Sequence, residues 1–335
     1  MERRGWKNTA TYAALLAAAF VVAVAGSWKF GRQLDNNAYD FMFRLYDPPP
    51  WQAESVVLAI DESTLNACGG MPRIRQPLAE SLRLVAAAAP KAVAVDVILA
   101  ARSEDPRIDA ALAAAFERTP NLVLASELLP DGWEIPIPEF ARWAAARGHV
   151  YAKPDDDGIA RSIPLEKAFG HERLWALSLE AFRLSRGAEI VESPSGLQVG
   201  ARWVPIPKVP AGWRHSRDRD DSRFMRVRFA PRNADTGADA IPRIGMRQLI
   251  DHPELARSFT GKVVFVGLTA VTELHDRLPT PVAPAIPISG IEINASAFET
   301  IARGLFIIDS SPAWVLLFSL ALLMGACLLY TSRCV

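Results

Sequence analysis

The sequence predicts a mixed α/β fold with a mostly parallel sheet, flanking helices and an inserted α+β lobe, bracketed by two transmembrane helices. Three observations predict it: short continuous apolar runs typical of buried strands, amphipathic helical segments between them, and one long apolar stretch near each end of the chain.

The terminal stretches run from Thr9 to Trp28 and from Pro312 to Tyr330, and neither contains a charged residue. Each is about long enough to cross roughly 30 Å of hydrocarbon at about 1.5 Å per residue. We therefore predict transmembrane helices over 9–28 and 312–330.

The flanking charges predict the orientation. Arg3, Arg4 and Lys7 precede the first stretch, which favours a cytoplasmic segment 1–8. A folded domain over 31–311 then lies outside the cytoplasm, and residues 331–335 lie inside it. Two alternatives remain: a signal peptide cleaved near Ala23-Val24-Ala25-Gly26, or two buried core helices.

The first half of the domain has a β-α-β-α-β pattern. Apolar runs with β-branched residues predict strands, and residues spaced by three or four predict the helices between them. The strands are expected at 55–60, 92–98 and 121–125, and the helices at 75–89 and 108–118. This order predicts a doubly wound parallel layer.

The middle of the domain is less regular. Turn residues 154–158 predict a hairpin between 148–152 and 159–165, with Arg161 pairing with Asp155 or Asp157 across the turn. A helix over 174–186 and a small hairpin over 197–204 complete the predicted inserted lobe.

The last third returns to the buried pattern. A half-exposed strand is expected at 224–229, a buried strand at 262–267 and a helix at 290–303. Distant segments are therefore expected to complete the sheet.

Composition excludes some classes of protein. Half of the residues are apolar and the formal net charge is zero, which indicates a folded domain without a bulk field for nucleic acid. Of the three cysteines only Cys68 falls outside the predicted anchor and tail, so no disulfide is expected within the domain. A charged segment, 214–228, predicts a solvated loop or a patch for an anionic ligand or a lipid headgroup.

Candidate binding residues stand where strands end. Asp61 and Asp96 follow two strands, and Gly267 and Thr269 follow a third, at the edge where open α/β sheets bind ligands. Asp276 and Thr280 lie in the next loop. Such a group predicts a site for a divalent cation or an amine-bearing solute. The alternative is that the aspartates only hold turns.

No motif for catalysis is found, and neither a cofactor nor a bound metal is expected. A second hypothesis is a metal-dependent hydrolase that uses Asp61, Asp96 and Asp276. A third is a structural envelope protein that scaffolds partners.

Segments in a fixed order resemble one family. The sequence is similar to the CHASE2 extracellular sensory domain in these stretches: Asp40-Phe41-Met42-Phe43-Arg44, Val56 to Glu62, Met71-Pro72-Arg73, Ala92 to Asp96, Gly148-His149-Val150, Asp155 to Gly158 with Arg161, Gly261 to Gly267, and Gly290 to Asn294.

The resemblance implies the outer sensory domain of a bacterial inner-membrane receptor, which senses a small molecule or an envelope stimulus. It adds Arg73 to the ligand-binding candidates, and a homodimer contacting membrane lipid is expected. Its output module is a nucleotide cyclase, a histidine or serine/threonine kinase, or a diguanylate cyclase. Because the chain ends soon after 312–330, we expect a fragment without an enzymatic part.

Overall fold

The structure is a computed structural model of the whole chain. It describes residues 18, 32–45, 52–152, 154–206, 223–230, 240–272, 277–308, 310–311, 313–314, 317–318 and 321.

The centre of the described part is a seven-stranded sheet in the order β13-β1-β14-β2-β3-β4, with β5 also pairing with β3. All pairs are parallel except β3 with β4. Its strands are β1 (Ser55–Ile60), β2 (Ala92–Asp96), β3 (Leu122–Leu129), β4 (Gly132–Glu134), β5 (Ala146–His149), β13 (Arg243–Gly245) and β14 (Val263–Leu268). The prediction of a mixed, mostly parallel sheet is confirmed.

A strand from late in the chain occupies the middle of this sheet. β14 lies between β1 and β2, with Val266 aligned to Leu58 on one side and to Val95 on the other. All but the last of its six residues are buried. Distant segments therefore complete the sheet, as predicted.

Helices cover both faces of the sheet. The helices are α1 (Arg32–Leu45), α2 (Glu62–Cys68), α3 (Arg75–Ala87), α4 (Pro106–Glu117), α5 (Pro138–Ala141), α6 (Leu177–Ser185), α7 (Met246–Asp251) and α8 (Gly290–Arg303). Val57 and Ala59 join the core cluster under α6 and α8. Val56 and Leu58 join the cluster under α3 and α4. Successive strand residues thus supply two cores, one on each face.

Small antiparallel sheets fill the region between β5 and β13. They are formed by β6 (Ser162–Pro164) with β12 (Phe224–Arg226), β7 (Glu166–Phe169) with β8 (Glu172–Trp175), and β9 (Ile190–Ser193), β10 (Gly196–Val199) and β11 (Arg202–Pro205). The predicted hairpin over 197–204 is confirmed, with Leu197 opposite Val204.

The predicted hairpin across 154–158 is wrong. The turn itself exists, since the Gly158 amide donates to the Asp155 carbonyl at 2.8 Å. However, Ala146–His149 pairs in parallel with β3, and Ser162–Pro164 pairs with Phe224–Arg226. Each flanking segment therefore pairs with a strand that is distant in sequence, and the two do not pair with each other.

Helix α6 packs on the main sheet, so it is not confined to an inserted lobe. Its Phe182 lies 6.1 Å from Phe298 of α8, ring centre to ring centre. Leu177 lies directly over Gly148 of β5, where an added Cβ would come 2.6 Å from the Leu177 Cα. The glycine therefore sets how closely this helix approaches the sheet.

Within the described ranges, no helix has both the length and the apolar character needed to cross a membrane. The predicted spans 9–28 and 312–330 fall almost wholly outside those ranges.

Candidate functional site

Asp61 stands at the carboxyl end of β1 and caps α2. Its Oδ1 accepts hydrogen bonds from the Thr64 amide (2.9 Å), the Thr64 hydroxyl (2.7 Å) and the Ser63 hydroxyl (2.8 Å). Burial alone would raise the pKa of Asp61, but these hydrogen bonds outweigh it and lower the pKa. Asp61 is thus ionised and holds the start of a helix, which is the turn-holding alternative.

Gly245 provides the space that the Asp61 side chain occupies. A Cβ on this glycine, which ends the edge strand β13, would lie 2.5 Å from the Asp61 Oδ2. One carboxylate oxygen therefore caps the helix while the other lies against the neighbouring strand.

Asp96 and Gly267 are direct neighbours on β2 and β14. A Cβ on Gly267 would come 2.7 Å from the Ile291 Cβ and 3.2 Å from the Asp96 Cβ. The glycine is therefore required for α8 to pack closely against the sheet end. Its position beside Asp96, which is half-buried, is as the sequence predicts.

Thr269 continues the same edge beyond β14. Its amide donates to the Ile60 carbonyl at 2.9 Å, and its carbonyl accepts from the Arg277 Nη1 at 3.0 Å. Arg277 also donates to the Pro287 carbonyl at 2.5 Å. This arginine joins the sheet edge to the hairpin of β15 (Arg277–Thr280) and β16 (Ala283–Ser289).

Thr280 ends β15 and is completely buried. Its hydroxyl has no hydrogen-bond partner among the described residues. Buried hydroxyls in native proteins are nearly always paired, so an unpaired hydroxyl at this position is unusual.

The structure does not place the remaining candidates, Arg73 and Asp276, at this edge of the sheet. Arg73 lies on the surface in the short turn Met71–Arg73 between α2 and α3. Asp276 falls outside the described residues. Across the part of the chain that the structure describes, no three acidic, histidine or cysteine side chains are placed to hold a metal ion.

A histidine that the site prediction omitted is buried at the end of β5. His149 is 1% exposed, and neither ring nitrogen has a hydrogen-bond partner within the described ranges. Burial, together with the charge of Lys167, lowers the pKa of His149 to about 3. Its imidazole is therefore neutral, and it aligns with Ser126 of β3, whose buried hydroxyl is also unpaired there.

Arg161 is the centre of a buried ion cluster. Its guanidinium donates to Asp40 at 2.8 and 2.7 Å, to Asp155 at 2.8 Å and to Asp157 at 2.9 and 2.8 Å. All five donors of the group are thereby used. Burial alone would lower the pKa of Arg161, but the hydrogen bonds to Asp40, Asp157 and Asp155 raise it above its ordinary value.

This cluster fastens α1 to the domain. Asn36 of α1 also donates to the Asp157 Oδ2 at 3.0 Å. Next to it, Phe43 packs against Phe229 with ring centres 6.2 Å apart. The Arg226 guanidinium lies over the Tyr39 ring at 5.1 Å. Burial raises the pKa of Tyr39 to about 12, so the phenol stays neutral.

The hairpin and the ion cluster are in contact. The Ala160 amide, which precedes Arg161, donates to the Pro279 carbonyl of β15 at 2.8 Å. A continuous series of contacts therefore runs from Thr269 at the sheet edge, through Arg277 and β15, to Arg161 and Asp40.

Comparison with protein families decides which family this is. Residues 14–329 match the model of the CHASE2 domain. The chain belongs to the CHASE2 family. No curated protein and no solved structure matches the sequence.

CHASE2 domains are sensory and not catalytic, which agrees with a signal-sensing role and gives no support to the hydrolase hypothesis. The structure also shows why two of the family-like segments belong together. Asp40 of the first segment and Asp157 of the middle one bind the same guanidinium.

The sequence predicted the pairing of Arg161 with Asp155 or Asp157, and both bonds form. It did not predict Asp40, the third partner. A signal was present, because Asp40 is spaced with Asn36, Tyr39 and Phe43 on one face of a helix. A carboxylate on a face that also carries aromatic residues indicates a buried partner of opposite charge.

Proposed function

We propose that this CHASE2 chain is the stimulus-sensing part of a bacterial inner-membrane receptor. Residues 31–311 lie outside the cytoplasm, 9–28 and 312–330 anchor them in lipid, and 1–8 and 331–335 lie inside. The observation that carries the proposal is the family match over residues 14–329. The length and apolar character of the two terminal stretches support the anchors.

The stimulus is a small molecule or a state of the envelope, and its site is at the carboxyl edge of the sheet. The candidate residues are Asp61, Arg73, Asp96, Gly267, Thr269, Asp276 and Thr280, of which Arg73 lies apart in the surface turn between α2 and α3. The buried, unpaired hydroxyl of Thr280 supports a site that a ligand completes. Asp96, beside Gly267, supplies a carboxylate at the same edge.

Stimulus binding shifts the population between two arrangements of the domain. The hairpin β15–β16 moves with the sheet edge because Arg277 bonds both. Through Ala160 and Arg161 the movement reaches Asp40, and α1 displaces the first anchor. The output module that receives the signal on the cytoplasmic side is a nucleotide cyclase, a kinase or a diguanylate cyclase.

Thiol labelling in cells tests the placement. The full chain without its native cysteines (Cys68→Ser, Cys327→Ser, Cys334→Ser) receives one new cysteine, His171→Cys, in the exposed turn between β7 and β8. We expect a membrane-impermeant maleimide to label it in cells with a permeabilised outer membrane and an intact inner membrane. Glu2→Cys is the control and should react only after lysis. Labelling of His171→Cys only after lysis would refute the placement.

A thermal-shift panel tests the stimulus site. The full chain in detergent is heated with divalent metal ions, nucleotides and small envelope solutes, each over a concentration series. A compound that binds the folded state raises the unfolding midpoint by mass action. A rise that is lost in Asp96→Asn supports this site, whereas a rise that persists in Asp96→Asn and Thr280→Val places binding elsewhere.

A further inference from the structure

Helix α1 has two faces of different character. One face, formed by Asn36, Tyr39, Asp40 and Phe43, contacts the domain through the hydrogen bonds and ring contacts described above. These residues are spaced by three, one and three positions, so they form one side of the helix. The side chains on the opposite side are exposed in the part of the chain that the structure describes.

That opposite side is apolar and exposed. Leu34 is 67%, Phe41 57% and Leu45 63% exposed, and Ala38 is exposed between them. We call these four residues the outer face. At about 100° per residue they fall within about 60° of arc, nearly opposite Phe43 and Asn36.

The spacing of the outer face is that of a helix pair. The four residues are separated by four, three and four positions, which is the alternation of the d and a positions in a coiled-coil heptad. A helix that covers this face would insert its own side chains between them. Ala38, in the centre, leaves room for the two backbones to approach closely.

We propose that the outer face of α1 pairs in parallel with the outer face of a second copy of this chain. This inference rests on the proposed membrane anchoring. The first anchor ends at Trp28, four residues before α1 begins, so two anchored copies leave the membrane in the same direction. Each outer face then meets its own counterpart, as a two-fold interface requires.

Anchoring also accounts for how so short a helix pair can form. The outer face extends over twelve residues, which is about 17 Å along the helix axis. Isolated helices of this length are marginally stable in water. Two anchored chains have a high effective concentration, which compensates for the small contact area.

Lipid is a less suitable occupant of the outer face. Met42, which is 64% exposed, and then Asp35 border it on one side, and Asn37 borders it on the other. Immersion in hydrocarbon would desolvate the Asp35 carboxylate, which is costly. The α1 helix of a second copy covers only the apolar strip and leaves Asp35 and Asn37 in water.

The pairing would link the ion clusters of the two copies through their α1 helices. Asp40 lies on the same helix as the outer face and is bonded to Arg161. A rotation of one α1 against the other therefore acts directly on the fastening between helix and domain.

Disulfide scanning of the full chain in bacterial membranes tests the pairing. In the cysteine-free background, single substitutions Leu34→Cys, Ala38→Cys, Phe41→Cys and Leu45→Cys are oxidised with copper phenanthroline. We expect several-fold more covalent dimer at these positions than at Gln33→Cys, which is exposed on the same helix but off the face. Equal cross-linking at the control position, or no dimer at any position, overturns the proposal.

A charge substitution gives an independent readout. Phe41→Glu and Gln33→Glu place the same side chain on the same exposed helix, and only the first is on the outer face. With Leu45→Cys as reporter, we expect Phe41→Glu to abolish the dimer and Gln33→Glu to leave it unchanged, both with unaltered unfolding midpoints. Retention of the dimer in Phe41→Glu overturns the pairing.

Two further observations separate the possible failures. If His171→Cys is labelled from outside but no position cross-links, the pairing fails and the proposed receptor placement survives. If His171→Cys is labelled only after lysis, the placement itself fails. If Phe41→Cys neither cross-links nor reacts with an aqueous maleimide, the face is covered by lipid or another protein, and the pairing is overturned.

Discussion

Asp40 and Arg161 form a bidentate ion pair between residues 121 positions apart, with N···O distances of 2.8 and 2.7 Å. The arginine side chain is 1% exposed and the aspartate side chain 10%. This pair ties the helix that follows the first predicted anchor to the body of the CHASE2 domain.

Removal of one partner should therefore be costly. We expect Asp40→Asn to lower the free energy of unfolding by about 3 to 5 kcal/mol, because it leaves part of a buried guanidinium without a charged partner. The thermal midpoint and amide exchange of residues 33–45 would measure this, and exchange there should accelerate.

Asp155→Asn is the matched control for that substitution. It removes a carboxylate from the same guanidinium, but the Asp155 side chain is 35% exposed. We expect a loss of about 1 kcal/mol or less, since solvent screens exposed pairs. Equal losses in the two variants would contradict the role assigned to Asp40.

Asp61 can be tested for its capping role separately from any binding role. Asp61→Ala should destabilise the domain by about 1 kcal/mol, because the Thr64 amide loses its acceptor. Asp61→Ser should retain most of that stability, since serine is a good helix cap. If Asp61→Ser has the unfolding midpoint of the native chain but loses a solute-induced thermal shift, Asp61 binds the solute in addition to capping the helix.

Thr280→Val replaces a buried hydroxyl by a methyl group of the same shape. Because that hydroxyl has no partner among the described residues, we expect the unliganded protein to keep or slightly raise its unfolding midpoint. A compound that hydrogen-bonds Thr280 should lose its thermal shift in this variant. A clear fall in stability without ligand would show instead that the hydroxyl is satisfied, for example by a buried water molecule.

The acid limb of the stability curve should depend on Glu192. Hydrogen bonds from Arg173 and then Arg223 lower the pKa of this carboxyl from 4.5 to about 2. A carboxyl with a lowered folded-state pKa contributes stability that is complete above pH 4.5 and is lost as the pH falls towards 2. Because the side chain is 33% exposed, its contribution is about 1 kcal/mol or less.

Glu192→Gln should therefore lower stability slightly at pH 7 and flatten the decline between pH 4.5 and 2. Unfolding midpoints measured across this range in both proteins provide the comparison. Parallel curves would mean that Glu192 makes no net contribution in the folded state.

Local pattern was sufficient for much of the secondary structure. The strand predicted at 55–60 and the helix predicted at 290–303 are observed with those bounds. A continuous apolar run and a period of 3.6 are properties of a single segment, so they can be recognised without knowing what the segment contacts.

Pairing partners were harder to predict. β5 is short and contains Arg147 and His149, so its sequence lacks the apolar run of a buried strand. It is nonetheless a parallel strand because β3 is adjacent to it in space. For the same reason, the sequence predicted partners for Arg161 only in the nearby turn and did not predict Asp40, which lies 121 positions away.

By itself, the sequence determined the α/β class, most strand and helix positions, the family, and the position of Asp61, Asp96 and Thr269 where strands of the sheet end. Only the tertiary structure decided that Asp61 caps a helix, that Gly267 makes room for Ile291, and that one arginine joins Asp40 to Asp157. The physical reason is that periodicity is recorded within a segment, whereas a close approach or an ion pair depends on two segments that meet only when the chain has folded.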